Sequence, residues 1–557
     1  MSSRIAALFY ELARAPPALA MARAAKRARN EGDAAALAFL ARDSHMTVRG
    51  REALLRAVRD EGLPPAFSRS TQRRARAAIA GQATPYGPIM VDVPIKLANG
   101  KSFQCPMQSP IAMLHAAMQT SQSLASCFRA ALAASPCTHH TPWRVVFYAD
   151  EISPQNPLSV GTDRRKVHTT YWSFCEFGPE LLSSEEMWFT LAVLRSELVK
   201  KQIKGGMSHV LKVLMNAFFK HGGHDLRNGV AMHAPSSRHE GASDAHMLFA
   251  KHGILLGDMN EIKEILLCKG HAGTKPCPCC RNVVDHKQGY ADKSPALEPL
   301  TSLDSSKWSL HSDASVRALL AHLRVIAETS TNARLEAAQQ HLGWNHCEEN
   351  VLADEALGYR AISTLMYDWM HVYLVNGIFL NEVSQLMNRL KTLGITARTL
   401  HDYLQPWKWP RQFAHARNVF ESGGFGGSAS ETLSCVLVLR KFVFEVVLSA
   451  ADCQREAHSF LALCDVVENL RDCSREGSRV TPADLHGIIV AHLRLYQAVY
   501  GDQGWVFKHH QSLHLAGMME FHGGLFACFL HERKHRTIQR FTKDRFSLVG
   551  HERGCME

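Results

Sequence analysis

Two aspartates end apolar runs in this chain: Asp150 in WRVVFYADE, residues 143–151, and Asp258 in HMLFAKHGILLGD, residues 246–258. Carboxylates brought close together cannot all stay ionised without a cation between them, and hard divalent cations such as Mg²⁺ or Mn²⁺ take oxygen ligands. Shortly after Asp258 comes CPCC, residues 277–280, in which Cys277 and Cys280 have the C-x2-C spacing that lets two thiolates reach one tetrahedral Zn²⁺. Two cysteines are half of such a site. Cys268 and His271, a C-x2-H, offer the other half locally. His510 and His514, an H-x3-H in KHHQSLH, offer it from far down the chain, with His509 as a substitute. The plain alternative is reduced, buried thiols and no metal. Cys279, wedged inside the motif, reads as a non-ligand.

Cleavage or strand transfer at a phosphodiester by two metal ions needs a third carboxylate. Glu532 in HERKHR is the candidate, because Arg533, Lys534, His535 and Arg536 surround it with charge suited to phosphate. A helical salt-bridge face is its competing reading. Glu151 adjoins Asp150 and is a substitute for it. Arg164, Arg165 and Lys166 read as a solvated turn rather than as phosphate contacts. Tyr171-Trp172 and Trp188-Phe189 read as core rather than as base-stacking platforms.

Strands and helices must position these groups. IMVDVPIKL alternates like a strand, WRVVFYADE and KVHTTYWSFCEFG are β-rich, and EMWFTLAVLRSELV is a third strand or a helix. GMSHVLKVLMNAFFKHG has helical spacing, the run ending at Asp258 is strand-like, and MNEIKEILLCKG turns helical at once. If the strands that end at Asp150 and Asp258 pair in parallel, the two carboxylates fall at adjacent strand ends. The chain divides into basic helices over 1–85, a first core segment over 86–284, a mainly helical stretch over 285–504, and a histidine-rich, basic segment over 505–557. No repeat period emerges.

Composition narrows the class. The chain has 557 residues, 46% of them hydrophobic, enough for a large core. No uninterrupted apolar run reaches the roughly 18 residues a membrane span needs, so no membrane partner is expected. Fifteen cysteines without a secretory signal do not suggest a disulfide framework. Most stand singly and read as small buried hydrophobes. The first thirty residues, rich in Arg and Ala, read as a basic amphipathic helix, with a transit peptide as the alternative. A net charge of +11, with 31 histidines uncounted, suits a polyanion through counterion release, although it is thin over this length.

FYADEISPQNPL…RRKVHTTYWSFCEFG, GDMNEIKEILLCKGHAGTKPCPCCRNVV, YDWMHVYLVNGIFLNEV and KHHQSLHLAG…FLHERKHR resemble, in this order over about residues 143 to 545, the cut-and-paste DDE transposases of the CACTA-like group, including Plavaka-type relatives. The resemblance implies an α/β fold: a ribonuclease-H-like core whose last catalytic helix follows a long, mainly helical insertion. It implies Asp150, Asp258 and Glu532 as catalytic acids holding Mg²⁺ or Mn²⁺. It also implies active-site support by Asp368 and His371, a D-x2-H element, with Glu382 a rival for the third acid. Double-stranded DNA, both transposon ends and target, a homo-oligomeric assembly and the nucleus follow from the same resemblance. V(D)J-type recombinases, distant DDE relatives, resemble this layout in sharing one Zn²⁺ between a C-x2-C and a late histidine pair, which favours His510 and His514 over the local half. A catalytically inactive, transposase-derived DNA-binding or scaffolding protein is the main rival, since no zinc-finger module precedes the core. A structural zinc protein unrelated to DNA is the third reading.

Overall fold

A run of aromatic and β-branched residues, VHTTYWSF, makes the centre of the molecule. A computed structural model describes residues 83–556, apart from 154–164, 221–223, 236–242, 271–272, 286–296, 411–413, 450, 476 and 545–550. The basic helices expected over 1–85 lie almost wholly outside the described residues. So do Arg164 and His271. The segment Ala83–Met556 is one unit built on a seven-stranded mixed sheet.

The strands are β1 (Met90–Lys96), β2 (Ser102–Gln108), β3 (Trp143–Ile152), β4 (Val167–Phe174), β5 (Phe189–Arg195), β6 (Ala250–Gly257) and β7 (Leu365–Tyr367), in the spatial order β7-β6-β3-β4-β5-β2-β1. From β3 to β1 every neighbouring pair is antiparallel. On the other side β6 runs parallel to both β3 and β7. All eight residues of β4 are buried, as its β-branched and aromatic composition favours.

Alternation along β3 and β4 hands the two faces of the sheet to different helices. Phe147 and Trp172 meet Phe218 of helix α1 (Gly206–Phe219), with ring centroids 5.2 and 4.9 Å away. Ten of that helix's fourteen residues are buried. On the opposite face Tyr148 and Tyr171 meet His531 and His535. Truncating Trp172, 1% exposed, to alanine would cost about 3–5 kcal/mol by the usual scale of buried aromatic deletions.

Three expectations change. EMWFTLAVLRSELV is both a strand and a helix: β5 ends at Arg195 and the helix Ser196–Lys201 follows directly. The stretch 285–504 is mainly helical, yet it contributes β7, whose three residues LMY are too short to register as a strand by pattern. The run ending at Asp258 also splits, because Ser243–Leu248 pairs with Val230–Pro235 in a separate hairpin before β6 begins.

Beyond β7 the chain forms helices α3 (Trp369–Tyr373), α4 (Ile378–Lys391), α5 (Gln454–Cys473) and α6 (Pro482–Tyr500), with α2 (Met259–Leu266) lying earlier, after β6. Glu382 is enclosed where α4, α5 and α6 meet. Its carboxylate accepts from Ser459 Oγ at 2.7 Å and lies 2.7 Å from His492 Nε2, and all three residues are fully buried. Glu382 is thus part of the helical core and not an acid of the carboxylate site. The chain returns through α7 (Phe507–Ser512) to α8 (Phe529–Asp544). No helix of the described residues is long and apolar enough to cross a membrane.

Candidate active site and metal centre

Parallel pairing of β3, β6 and β7 aligns three aspartates. Leu256 of β6 lies opposite Tyr148 of β3, and Gly257 opposite Tyr367 of β7. Continued by one or two residues, that register sets Asp258 between Asp150 and Asp368, on strands about 4.8 Å apart. Asp258 and Asp368 each also start a helix. Asp258 Oδ1 accepts from Glu261 N at 2.8 Å and caps α2. Asp368 accepts from the backbone of Met370 and His371 and caps α3. A capping carboxylate satisfies N–H groups that would otherwise be orphaned and favours the helix dipole.

Helix α8 brings the fourth acid. Glu532 and His535, three apart, share a helix face, and the donor atoms of Asp150, Glu532 and His535 all lie within 4.8 Å of one another. Asp150 Oδ2 accepts from Tyr148 OH at 2.8 Å and lies 3.2 Å from His535 Nε2, while His535 Nδ1 lies 3.2 Å from Tyr171 OH. His371 joins the two halves: its Nδ1 lies 2.5 Å from Asp368 Oδ2 and its Nε2 3.7 Å from Glu532 Oε1. Cys528 N completes the set of donors to Asp368, at 3.1 Å. Asp258 shares no such direct contact with Asp150 or Glu532. It lines, with Asp368, His371 and Lys508, a cavity of 450 Å³.

Charge in this cluster is divided unequally. Burial works to raise the pKa of Asp150, but the hydrogen bond and charge of His535, with the charge of His371, outweigh it and hold the group below the usual carboxylate range. Glu532 moves the other way, raised by burial and then by the negative charge of Asp150. Burial opposes the charge of His371, yet bonding to Asp368 and the charges of Asp368, Asp150 and Asp258 raise it to about 9. Lys508, which donates to the carbonyls of His371 and Val375 at 2.7 Å, is lowered by burial to about 8 despite Asp258 and Asp368.

A second cluster forms from the CPCC loop and the histidines before α8. Cys277 Sγ lies 3.3 Å from His514 Nε2; Cys280 Sγ lies 3.4 Å from the same atom and 3.6 Å from His510 Nε2; the two imidazole nitrogens are 3.1 Å apart. These four residues are therefore together, and all four donor atoms lie within 4.8 Å of one another. Cys268 is not among them: it is buried and bridges to Trp344. His509 turns instead toward the aromatic pair Tyr496 and Trp505. Cys279 Sγ lies 3.7 Å from Tyr367 OH.

Several individual residues differ from the sequence reading. Glu151 projects to the opposite face from Asp150, toward Lys200 at 3.0 Å, because adjacent strand residues alternate. His535 is buried on Asp150, so it does not join Arg533 and Arg536 at the surface. Lys534 donates to the Glu185 carbonyl at 3.0 Å, and Arg533 lies 3.6 Å from the Glu185 carboxylate. Arg165 is 3% exposed and reaches the Thr542 carbonyl at 3.3 Å, so it is no solvated turn. Tyr171, Trp172, Trp188 and Phe189 are core. Tyr148, Lys508 and Cys528 were missed as site residues, and His535 was read as a phosphate contact and not as a partner of Asp150. Tyr148 lies two before Asp150 and His535 three after Glu532, spacings that put each beside its acid, so periodicity held the signal for these two. No family model matches the chain, and no curated protein matches its sequence.

Proposed function

We propose that the protein is a DDE-type DNA transposase, or a protein derived from one, that cleaves and transfers DNA strands with two divalent metal ions. The observation that carries this reading is the convergence of Asp150 and Glu532, distant in sequence, beside two more aspartates at the ends of adjacent parallel strands. A ribonuclease-H-like core is supported by the central strand that bears the first acid, the neighbouring parallel strand that ends in the second, and a helix that returns with the last acid after a long, mainly helical stretch.

Asp150, Asp258 and Glu532 are the residues to hold Mg²⁺ or Mn²⁺, and their carboxylate oxygens suit hard cations. When bound, such ions activate an attacking oxygen and stabilise the leaving one. The chain's own groups do the rest. Asp368, saturated by three backbone N–H groups and His371, fixes the ring of His371 so that Nε2 faces Glu532. Lys508 supplies positive charge at the cavity wall, where a phosphodiester would enter. Water attacks the phosphodiester first, and the freed 3′-hydroxyl then attacks target DNA.

The cysteine and histidine cluster fits Zn²⁺. A tetrahedron with zinc's bonds of about 2.0–2.1 Å to nitrogen and 2.3 Å to sulfur has edges of about 3.3–3.8 Å, against 3.1–3.6 Å between these donors. Such an ion would clip the loop after α2 to helix α7 and so close the insertion at its base, setting α8 near the aspartates. Duplex DNA as substrate, a homo-oligomer and nuclear residence belong to the same proposal.

Supercoiled plasmid incubated with the purified chain and Mn²⁺ tests it. Nicking or linearisation by the wild type, abolished separately in Asp150→Asn, Asp258→Asn and Glu532→Gln, is the expected result. No cleavage by the wild type under any divalent ion, or cleavage unchanged in the three variants, overturns it.

A further inference from the structure

The face of β3 and β4 opposite the acids just described holds another group of metal-ligating side chains. His168, on β4, is 2% exposed. Its Nδ1 lies 3.3 Å from Glu261 Oε2 and its Nε2 3.8 Å from Glu264 Oε2 and 3.9 Å from Glu151 Oε1. Donor atoms of His168, Glu261 and Glu264 all lie within 4.8 Å of one another.

Glu151 accepts from Lys200 Nζ, but the buried atoms at the centre of the group are less well served. Both ring nitrogens of His168 and Oε1 of Glu261, itself 4% exposed, are buried without a hydrogen-bond partner. Buried polar atoms left in this way carry a desolvation penalty that a bound partner would relieve. One ion would take a single ring nitrogen of His168 together with oxygens of Glu261 and Glu264, a set of donor atoms that lie within 4.8 Å of one another. The charges also ask for one. Glu151, Glu261 and Glu264 carry three negative charges, and Lys200, 3.0 Å from Glu151 and 3.5 Å from Glu264, returns one. A divalent cation bound through His168 closes the remaining balance.

We propose that His168, Glu261 and Glu264, with Glu151 at the rim, bind a divalent transition-metal ion at a site separate from both clusters above. One imidazole with two or three carboxylates suits a borderline ion such as Zn²⁺ better than an all-oxygen Mg²⁺ site. Entry is from the side of Glu264 and Glu151, whose side chains are 32% and 28% exposed. The ion would fasten α2, whose N-terminus is capped by Asp258, to the two strands that carry Asp150 and His168. Its role is to hold the helix against the sheet; no reacting atom is touched.

Zinc counting by native mass spectrometry on the full chain tests this, in an Asp150→Asn/Glu532→Gln background so that the carboxylate cavity takes up none. The parent should carry one more zinc than either His168→Gln or Glu264→Gln. Because the comparison is a difference of one, it stands whatever the total is. His168→Gln perturbs a buried position, so Glu264→Gln, at the surface, is the second variant. Retention of the thiolate-to-metal absorption band after Co²⁺ substitution reports that the fold around Cys277 and Cys280 persists. Loss of one ion from either variant with that band retained supports the site. An unchanged count in both variants overturns it and leaves His168 as the cation of a buried ion network.

Discussion

The cysteine–histidine cluster and the carboxylate cluster sit on either side of helix α7, and they are built differently. Cys277, Cys280 and His510 are 3%, 1% and 0% exposed, and with His514 their donor atoms all lie within 4.8 Å of one another. The Glu532 side chain is 45% exposed, Asp258 lines an open cavity, and His371, its pKa raised to about 9, lies between Asp368 and Glu532. Closed, four-donor sites hold metal as structure; sites with room left exchange ligands and support chemistry. α7 joins the two physically, because Lys508 turns to the cavity while His510 turns to the cysteines.

Breaking the closed cluster has the largest expected effect. Structural zinc contributes apparent free energies of about 10–16 kcal/mol in small zinc-dependent peptides. In this larger unit the loss of Cys280 or His514 should remove the ion and several kcal/mol of stability. Calorimetry of Cys280→Ser with and without chelator checks it: chelator should lower the melting temperature of the wild type and leave the variant's unchanged. A wild type indifferent to chelator would make these four residues an ordinary buried contact.

Asp150→Asn comes next and acts on rate rather than stability. Removing a group that stabilises charge at a reacting centre commonly costs about 10²–10³-fold, and loss of a carboxylate that holds an ion should reach the upper end. Plasmid nicking would fall by roughly 10³-fold, about 4 kcal/mol at 1.36 kcal/mol per decade. The melting temperature should barely move, because the amide can still accept from Tyr148. A large loss of stability instead would make Asp150 a structural partner of His535.

These two contrasts mark what the sequence disclosed. C-x2-C and H-x3-H are short spacings with a direct meaning in ligand reach, so each pair was legible by itself, while joining them in preference to Cys268 and His271 rested on the resemblance to V(D)J-type recombinases. Two strand-like runs that each ended in an acid were legible too, but their parallel pairing, which aligns Asp150 and Asp258, entered only as a condition. The place of Asp368 was not visible by pattern, since β7 is only three residues long and its position at the sheet edge is set by pairing with β6. Glu382 looked like a rival acid because local sequence does not report that His492 and Ser459, from two other helices, would enclose it. His535 read as basic surface because its burial depends on Tyr148 and Tyr171 across the sheet. Contacts between distant segments, not periodicity, decided each of these.

Asp368→Asn probes how the open site is held in shape. Partners that orient a metal-facing histidine typically matter by about 10–100-fold. Nicking should fall within that range, below the effect of Asp150→Asn, and mainly through a higher metal requirement. Restoring most of the rate with raised Mn²⁺ is the expected signature; a loss that no concentration of Mn²⁺ relieves would place Asp368 among the catalytic acids themselves.

The smallest effect, and the sharpest on the difference between the clusters, is the pH dependence of the metal-free protein. His371 has a folded pKa raised to about 9 over an unfolded value of about 6.5. A raised histidine contributes stability that is fully present below the unfolded pKa and is lost as pH rises through the folded one. In protein dialysed free of Mg²⁺ and Mn²⁺, urea-denaturation stability should therefore decline between about pH 6.5 and 9, and His371→Ala should flatten that decline. Saturating Mg²⁺ should flatten it as well, because a cation among Asp150, Asp258 and Glu532 disfavours a proton on the neighbouring imidazole. A decline that persists unchanged with Mg²⁺ present would mean that the imidazolium and the ion do not compete for the same acids, and the open cluster would then be a salt-bridge network and not a metal site.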